Sequence, residues 1–178
     1  MPSPTSSPPD VWTTIVDEAA AESPLWAEAL RPSAERGLEA VFSTLAVPPL
    51  AAGIETIYEG YLVHYGRSRL FAPPDRDTAL LLGDYLYAHG LVRIAALGNT
   101  VAVHDLAELI SVCARMRGEN EPGDGIVWAA TARELGTRAL EAPRAAYRET
   151  GELGAFSVLV RDAGAALAAH AERLSYAR

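Results

Sequence analysis

The chain has 178 residues, of which 49% are hydrophobic and 21% charged, enough for one domain with a real core and too few for two comfortable ones. Its formal net charge of −8 argues against general nucleic-acid binding and against an anionic membrane surface, because both need a basic excess to neutralise phosphates. The single cysteine, Cys113, allows no internal disulfide and no paired zinc spacing, and it reads as a buried thiol in a reducing compartment.

Residues 1–10 are rich in Pro, Ser and Thr and are expected to form a mobile tail. They lack a basic region followed by an apolar run, so they do not read as a signal peptide. Residues 11–178 read as one all-α domain. Asp10 can cap a first helix running to about Glu22. Ser23-Pro24 opens a second helix carrying Leu25, Trp26, Leu30, Leu38, Val41, Phe42 and Leu45, with Pro32 a break or kink. Pro48-Pro49 ends it, and a third helix covers Leu50 to Tyr65.

Gly66 to Asp77 reads as a loop stiffened by Pro73-Pro74. The fourth helix, Asp77 to Leu97, stops at Gly98-Asn99, and the fifth runs from Thr100 to Arg117. Gly118 to Gly125 is the clearest loop. A sixth helix spans Ile126 to Leu140, Pro143 opens a short one, and Gly151 to Arg178 is the last helical stretch. The most apolar segment, Thr78 to Gly98, is interrupted by Asp84 and Arg93 and is no integral membrane span. No segment alternates with period two over a useful length, and alanine is abundant, which favours helices in close approach. An all-α, cytoplasmic protein is expected.

Few residues suggest chemistry directly. His104 and Glu108 stand at i, i+4 on a helix but lack a third metal ligand nearby. His64 reads as a helix-end histidine rather than a base. Tyr58, Tyr61, Tyr65, Tyr85 and Tyr87 read as bundle packing with hydroxyls near its edge. No nucleophile arrangement and no phosphate-cradling glycine loop is visible. The expectation is therefore no catalytic residue, no metal site and no cofactor.

Several segments, taken in order, resemble the trans-isoprenyl diphosphate synthases (polyprenyl synthetases). Ala27-Glu28-Ala29-Leu30-Arg31-Pro32 is similar to that family's Gly-Lys-Arg-Leu-Arg-Pro. Glu55 to His64 resembles the helix that ends in Leu-Ile-His before the first aspartate-rich motif. Gly83-Asp84-Tyr85-Leu86 matches Gly-Asp-Tyr-Leu, and Gly118-Glu119 lies at the Glu-Gly-Glu region. Ala130-Thr131-Ala132 falls at Lys-Thr-Ala, and Gly151-Glu152-Leu153-Gly154-Ala155-Phe156 resembles the stretch before the second aspartate-rich motif. Each match is short; their shared order and spacing give the resemblance its weight, over about residues 27–165.

The departures are systematic. Tyr65-Gly66-Arg67-Ser68-Arg69 stands where the family has Asp-Asp-x-x-Asp, and Glu28 and Ala130 replace its substrate-binding lysines. The segment from His64 to Gly83 is shorter, without the Arg-Arg-Gly diphosphate loop. The second motif is reduced to Val160-Arg161-Asp162 or Arg161-Asp162-Ala163, and the family's C-terminal helices do not follow. In the family those carboxylates hold the Mg²⁺ ions that bridge the allylic diphosphate. An arginine at such a position turns attraction into repulsion, and each such interaction is worth roughly 4 kcal/mol at 4 Å and an effective dielectric near 20. Ordinary magnesium-dependent prenyl transfer by this chain alone is not expected.

What the resemblance implies is a truncated isoprenoid-synthase-type bundle with a non-catalytic role. The leading expectation is a regulatory or product-length-determining subunit of a heteromeric polyprenyl diphosphate synthase. Its partner would be the catalytic subunit, and its third and fourth helices would form most of the interface. The alternative is a stand-alone homodimeric pseudoenzyme that binds a prenyl diphosphate or another apolar ligand. By resemblance, His64, Gly83 and Asp84 belong to the retained frame, and Gly60, Tyr61 and Tyr65 lie where the family shapes its chain-elongation cavity. Arg67 and Arg69 have two readings. One is a solvated loop; the other is a charge-inverted pocket in which Arg31, Arg67, Arg69 and a facing Arg161 hold a diphosphate directly.

Overall fold

A computed structural model describes residues 10–175; the expected tail at 1–9 and the end of the last helix at 176–178 lie outside them. Among the described residues there are nine α-helices and no strand. They are α1 (Val11–Glu22), α2 (Pro24–Glu28), α3 (Ala51–Tyr65), α4 (Arg76–Ala95), α5 (Thr100–Gly118), α6 (Asp124–Glu134), α7 (Glu141–Thr150), α8 (Gly154–Val158) and α9 (Gly164–Ser175). None of them is long and apolar enough to cross a membrane.

Capping residues set several boundaries. Ser23 Oγ accepts from Leu25 N at 3.2 Å, Asp75 from Thr78 N at 2.7 Å and Asn99 from Ala102 N at 3.0 Å, each satisfying an orphan donor of a first turn. Asp10 does not cap through its side chain; its carbonyl accepts from Thr14 N instead.

Three helix expectations change. The second helix stops at Glu28 rather than continuing to Leu45. From there to Leu50 the chain is extended and broken by three single 3₁₀ turns. This segment bonds to the stretch after α3, with Arg31 N donating to Leu70 O at 2.9 Å and Ala72 N to Ala29 O at 2.7 Å. Pro32 forbids a continuing helix, and the long-range bonds satisfy the backbone instead. The sixth helix ends at Glu134, because Gly136 and Arg138 are left-handed at φ +79° and +67°. The final stretch is two helices, α8 and α9, separated by a turn.

Helix α3 lies at the centre, and every residue from Gly53 to Leu62 is buried. On one side it meets α5, α6 and α9 in the main core. On the other, α1, α2, Leu70, Phe71 and the inner face of α4 form a second core. Antiparallel α4 approaches closely because glycines face each other in register. A Cβ on Gly60 would sit 2.9 Å from Gly83 O, and one on Gly90 would sit 3.0 Å from Gly53 O. Both helices space these glycines seven residues apart, which keeps them on one contact face.

Candidate functional site

Glu55 and Glu59 stand one turn apart on α3, so both carboxylates leave the helix on the same side. They converge on Arg69, which is 1% exposed. Arg69 Nη1 donates to Glu55 Oε2 at 2.6 Å and to Glu39 O at 2.8 Å, and its Nε donates to Glu59 Oε2 at 2.9 Å. The guanidinium lies 4.6 Å from the Trp12 ring centre and 5.1 Å from that of Tyr58. Glu59 Oε1 also accepts from Arg69 N and Leu70 N, both at 2.8 Å, and from Ser68 Oγ at 2.5 Å. Glu55 Oε1 accepts from Ser43 Oγ. Burial works to lower the Arg69 pKa, and Glu59 and Glu55 outweigh it and raise it.

Arg69 therefore belongs to neither expected arrangement. It is not in a solvated loop, and its guanidinium is committed to two carboxylates and a carbonyl rather than to a ligand. Arg161 is exposed in the turn between α8 and α9. Asp162, which the resemblance would set at the second aspartate-rich motif, pairs with Arg133 at 2.6 Å.

Facing α5, α6 and α9, α3 presents Tyr58 and Tyr61. Tyr58 and Tyr61 set their rings edge-on against Trp128 at 5.0 and 5.4 Å, while Phe42 stacks on Trp128 at 5.4 Å and lies 5.3 Å from His170. All five side chains are at most 3% exposed. The polar atoms of Tyr58, Tyr61 and His170 meet in one network around Asp124, at the first turn of α6. Tyr61 donates its hydroxyl to Asp124 Oδ2, Arg117 reaches the same oxygen at 2.5 Å, and His170 Nε2 lies 3.3 Å from it. Tyr58 OH lies 3.0 Å from His170 Nδ1. Burial raises the Asp124 pKa, but nearby His170, the hydrogen bond from Tyr61 and the charge of Arg117 outweigh it. Its carboxyl is held well below the usual range. Burial pushes the Tyr58 and Tyr61 hydroxyls well above theirs.

The positions expected around an elongation cavity separate. Gly60 faces α4 and serves helix packing, Tyr61 is bonded inside the core, and Tyr65 reaches an open depression shared with His64, Gly66 and Arg117. The three frame residues do come together: His64 Nε2 lies 3.3 Å from Asp84 Oδ1, and its ring occupies the place a side chain on Gly83 would need. Burial lowers the His64 pKa against the opposing effect of Asp84. Among the described residues no group of three His, Cys, Asp or Glu side chains could hold a metal ion.

Arg31 and Arg67 also meet. They line a surface cleft of about 310 Å³ between the 31–41 segment, the chain after α3 and the last turns of α9. Arg36 and Arg173, which sequence reasoning did not select, line it too. The Glu55–Glu59–Arg69 cluster was also missed, though it left a signal. Two carboxylates a turn apart in an otherwise apolar helix require a buried cation. No family model, no curated protein and no solved structure matches the chain.

Proposed function

We propose that this chain is a non-catalytic subunit of a heteromeric polyprenyl diphosphate synthase, acting in isoprenoid biosynthesis by supporting the catalytic subunit or limiting its product length. The observation that supports this reading is the filled interior beside α3. Phe42, Tyr58, Tyr61, Trp128 and His170 occupy the space next to the helix that, by resemblance, borders the substrate cavity in active relatives. On this reading the frame of α3 and α4 is kept while side chains take the place of a prenyl chain.

The partner surface follows from the same packing. Helix α3 is encased on all sides, so it contributes little to an interface, contrary to the expectation of a joint α3–α4 surface. Helix α4 keeps an outer face with Leu80, Leu81 and Val92 exposed, Val92 by 63%. Several large aliphatic side chains turned outward on one helix fit a protein contact better than a face left to water.

The test is co-expression with a full-length polyprenyl diphosphate synthase encoded in the same genome. The expected result is a stable complex that makes a long-chain product neither chain makes alone. Leu81→Glu with Val92→Glu should abolish co-purification while leaving the helical circular dichroism intact. A monodisperse homodimer that never engages the synthase would overturn the reading.

A further inference from the structure

The arginine-lined cleft carries an inference that does not depend on the subunit reading. The chain has no lysine, and five of its 15 arginines line this single opening. They arrive from three separate stretches: Arg31 and Arg36 before α3, Arg67 and Arg69 after it, and Arg173 on α9. Arg69 forms the inner wall and is already neutralised by Glu55 and Glu59.

The outer arginines are positioned by the backbone. Arg31 Nε donates to Ser68 O at 3.2 Å, and Arg36 Nε donates to Arg31 O at 2.9 Å. Each bond fixes the plane of a guanidinium and leaves both terminal amino groups for another acceptor. Such a planar fork matches two oxygens of one phosphate. Gly37 keeps room for the third group, since a Cβ there would sit 3.0 Å from Arg173 Nη2. Three glutamates stand at the rim. Glu35 and Glu172 are exposed, and Glu39 holds Arg173 only at 3.9 Å with its side chain 86% exposed. An entering anion displaces these carboxylates into water at little cost, because exposed ion pairs contribute only about 0–1 kcal/mol.

We infer that this cleft binds a phosphate or diphosphate group directly through Arg31, Arg36 and Arg173, without a divalent metal. The opening, about 310 Å³, suits a small polyanionic group.

Isothermal titration of the full chain with sodium pyrophosphate, with EDTA present throughout, tests it. One site per chain is expected, weakening as salt is raised. Arg36→Ala should raise the Kd at least tenfold with the melting temperature unchanged, and Glu39→Gln should lower it by removing a competing carboxylate. A short prenyl diphosphate run in parallel distinguishes the source: equal affinity assigns free diphosphate, and tighter binding assigns the ester. No binding at millimolar pyrophosphate, or a Kd unmoved by both substitutions, would overturn the inference. The co-purification experiment can succeed or fail without affecting this result.

Discussion

Replacing Glu59 with Gln tests whether Arg69 is a structural cation. The change is nearly isosteric, so packing is preserved and the perturbation is electrical. Glu59 accepts four hydrogen bonds, from Ser68 Oγ, Arg69 N, Leu70 N and Arg69 Nε. A glutamine can still offer one oxygen to the two backbone donors. Its amino group must then face Arg69 Nε, donor against donor. Losing one hydrogen bond to a charged group costs about 1.5–3 kcal/mol, and breaking one side of a buried ion pair costs about 3–5 kcal/mol in total. A loss of about 3 kcal/mol is the expected value here, because Glu55 continues to hold Nη1 at 2.6 Å. Urea unfolding followed by tryptophan fluorescence reports it well, since Trp12 lies 4.6 Å from the guanidinium. With a slope of about 2 kcal/mol per molar urea, the midpoint should fall by roughly 1.5 M. The exposed Arg76→Gln should move it by less than about 0.5 kcal/mol. A Glu59→Gln loss below about 1 kcal/mol would refute the reasoning, because an exposed ion pair costs that little to break.

Glycine substitutions should give opposite signs at the facing α3–α4 positions and at the open Gly118. Gly60→Ala and Gly90→Ala each bring a Cβ to within 2.9–3.0 Å of a backbone carbonyl. Overpacking of about 1–3 kcal/mol should exceed the helix-propensity gain of up to about 1 kcal/mol. Gly118→Ala meets nothing within 4 Å and should stabilise slightly, and paired thermal melts showing the reverse order would reject close α3–α4 contact. Asp124 supplies a pH test. Its folded pKa lies below its unfolded value, so its contribution is complete above about pH 4 and is lost as the pH falls toward the folded value. The stability gap between wild type and Asp124→Asn should therefore be large at pH 7 and shrink at pH 3. A gap equal at both would show that Asp124 is not ionised within its network of Tyr61, Arg117 and His170.

Much of the fold could be read from local signals. Ser23, Asp75 and Asn99 each stand where a helix begins, and their side chains close the first turn. Local signals failed where distant segments decide the outcome. Val41 and Phe42 carry helix-compatible spacing, yet residues 29–37 bond to 69–72, and Phe42 enters the main core from the bend that opens the 3₁₀ turn Ser43–Leu45. The Arg69 cluster is hidden for a related reason. Its partners are 10 and 14 residues upstream, and only the turn after α3 swings the arginine back against the helix it left. His170 and Asp124 are more distant still, and nothing local to α9 distinguishes an inward histidine from an exposed one.

The direction in which Arg69 points alters the argument against magnesium chemistry. Read from sequence, an arginine in an aspartate-rich position projects a positive charge into the metal site and repels the ion. In the folded chain that charge points into the protein and is compensated at 2.6 and 2.9 Å by Glu55 and Glu59. The repulsion at that position is therefore largely cancelled. What weighs against a metal there is the set of groups around the end of α3: Tyr65 is no carboxylate, and the cation beside it is Arg117, already bonded to Asp124. The same two glutamates account for an arginine at position 69. They are buried on the face toward residues 68–70, and removing their cation would leave buried carboxylates uncompensated at a cost of about 3–5 kcal/mol. In this chain position 69 is set by the charge balance of α3, and the surface left for a ligand is the outer ring of arginines.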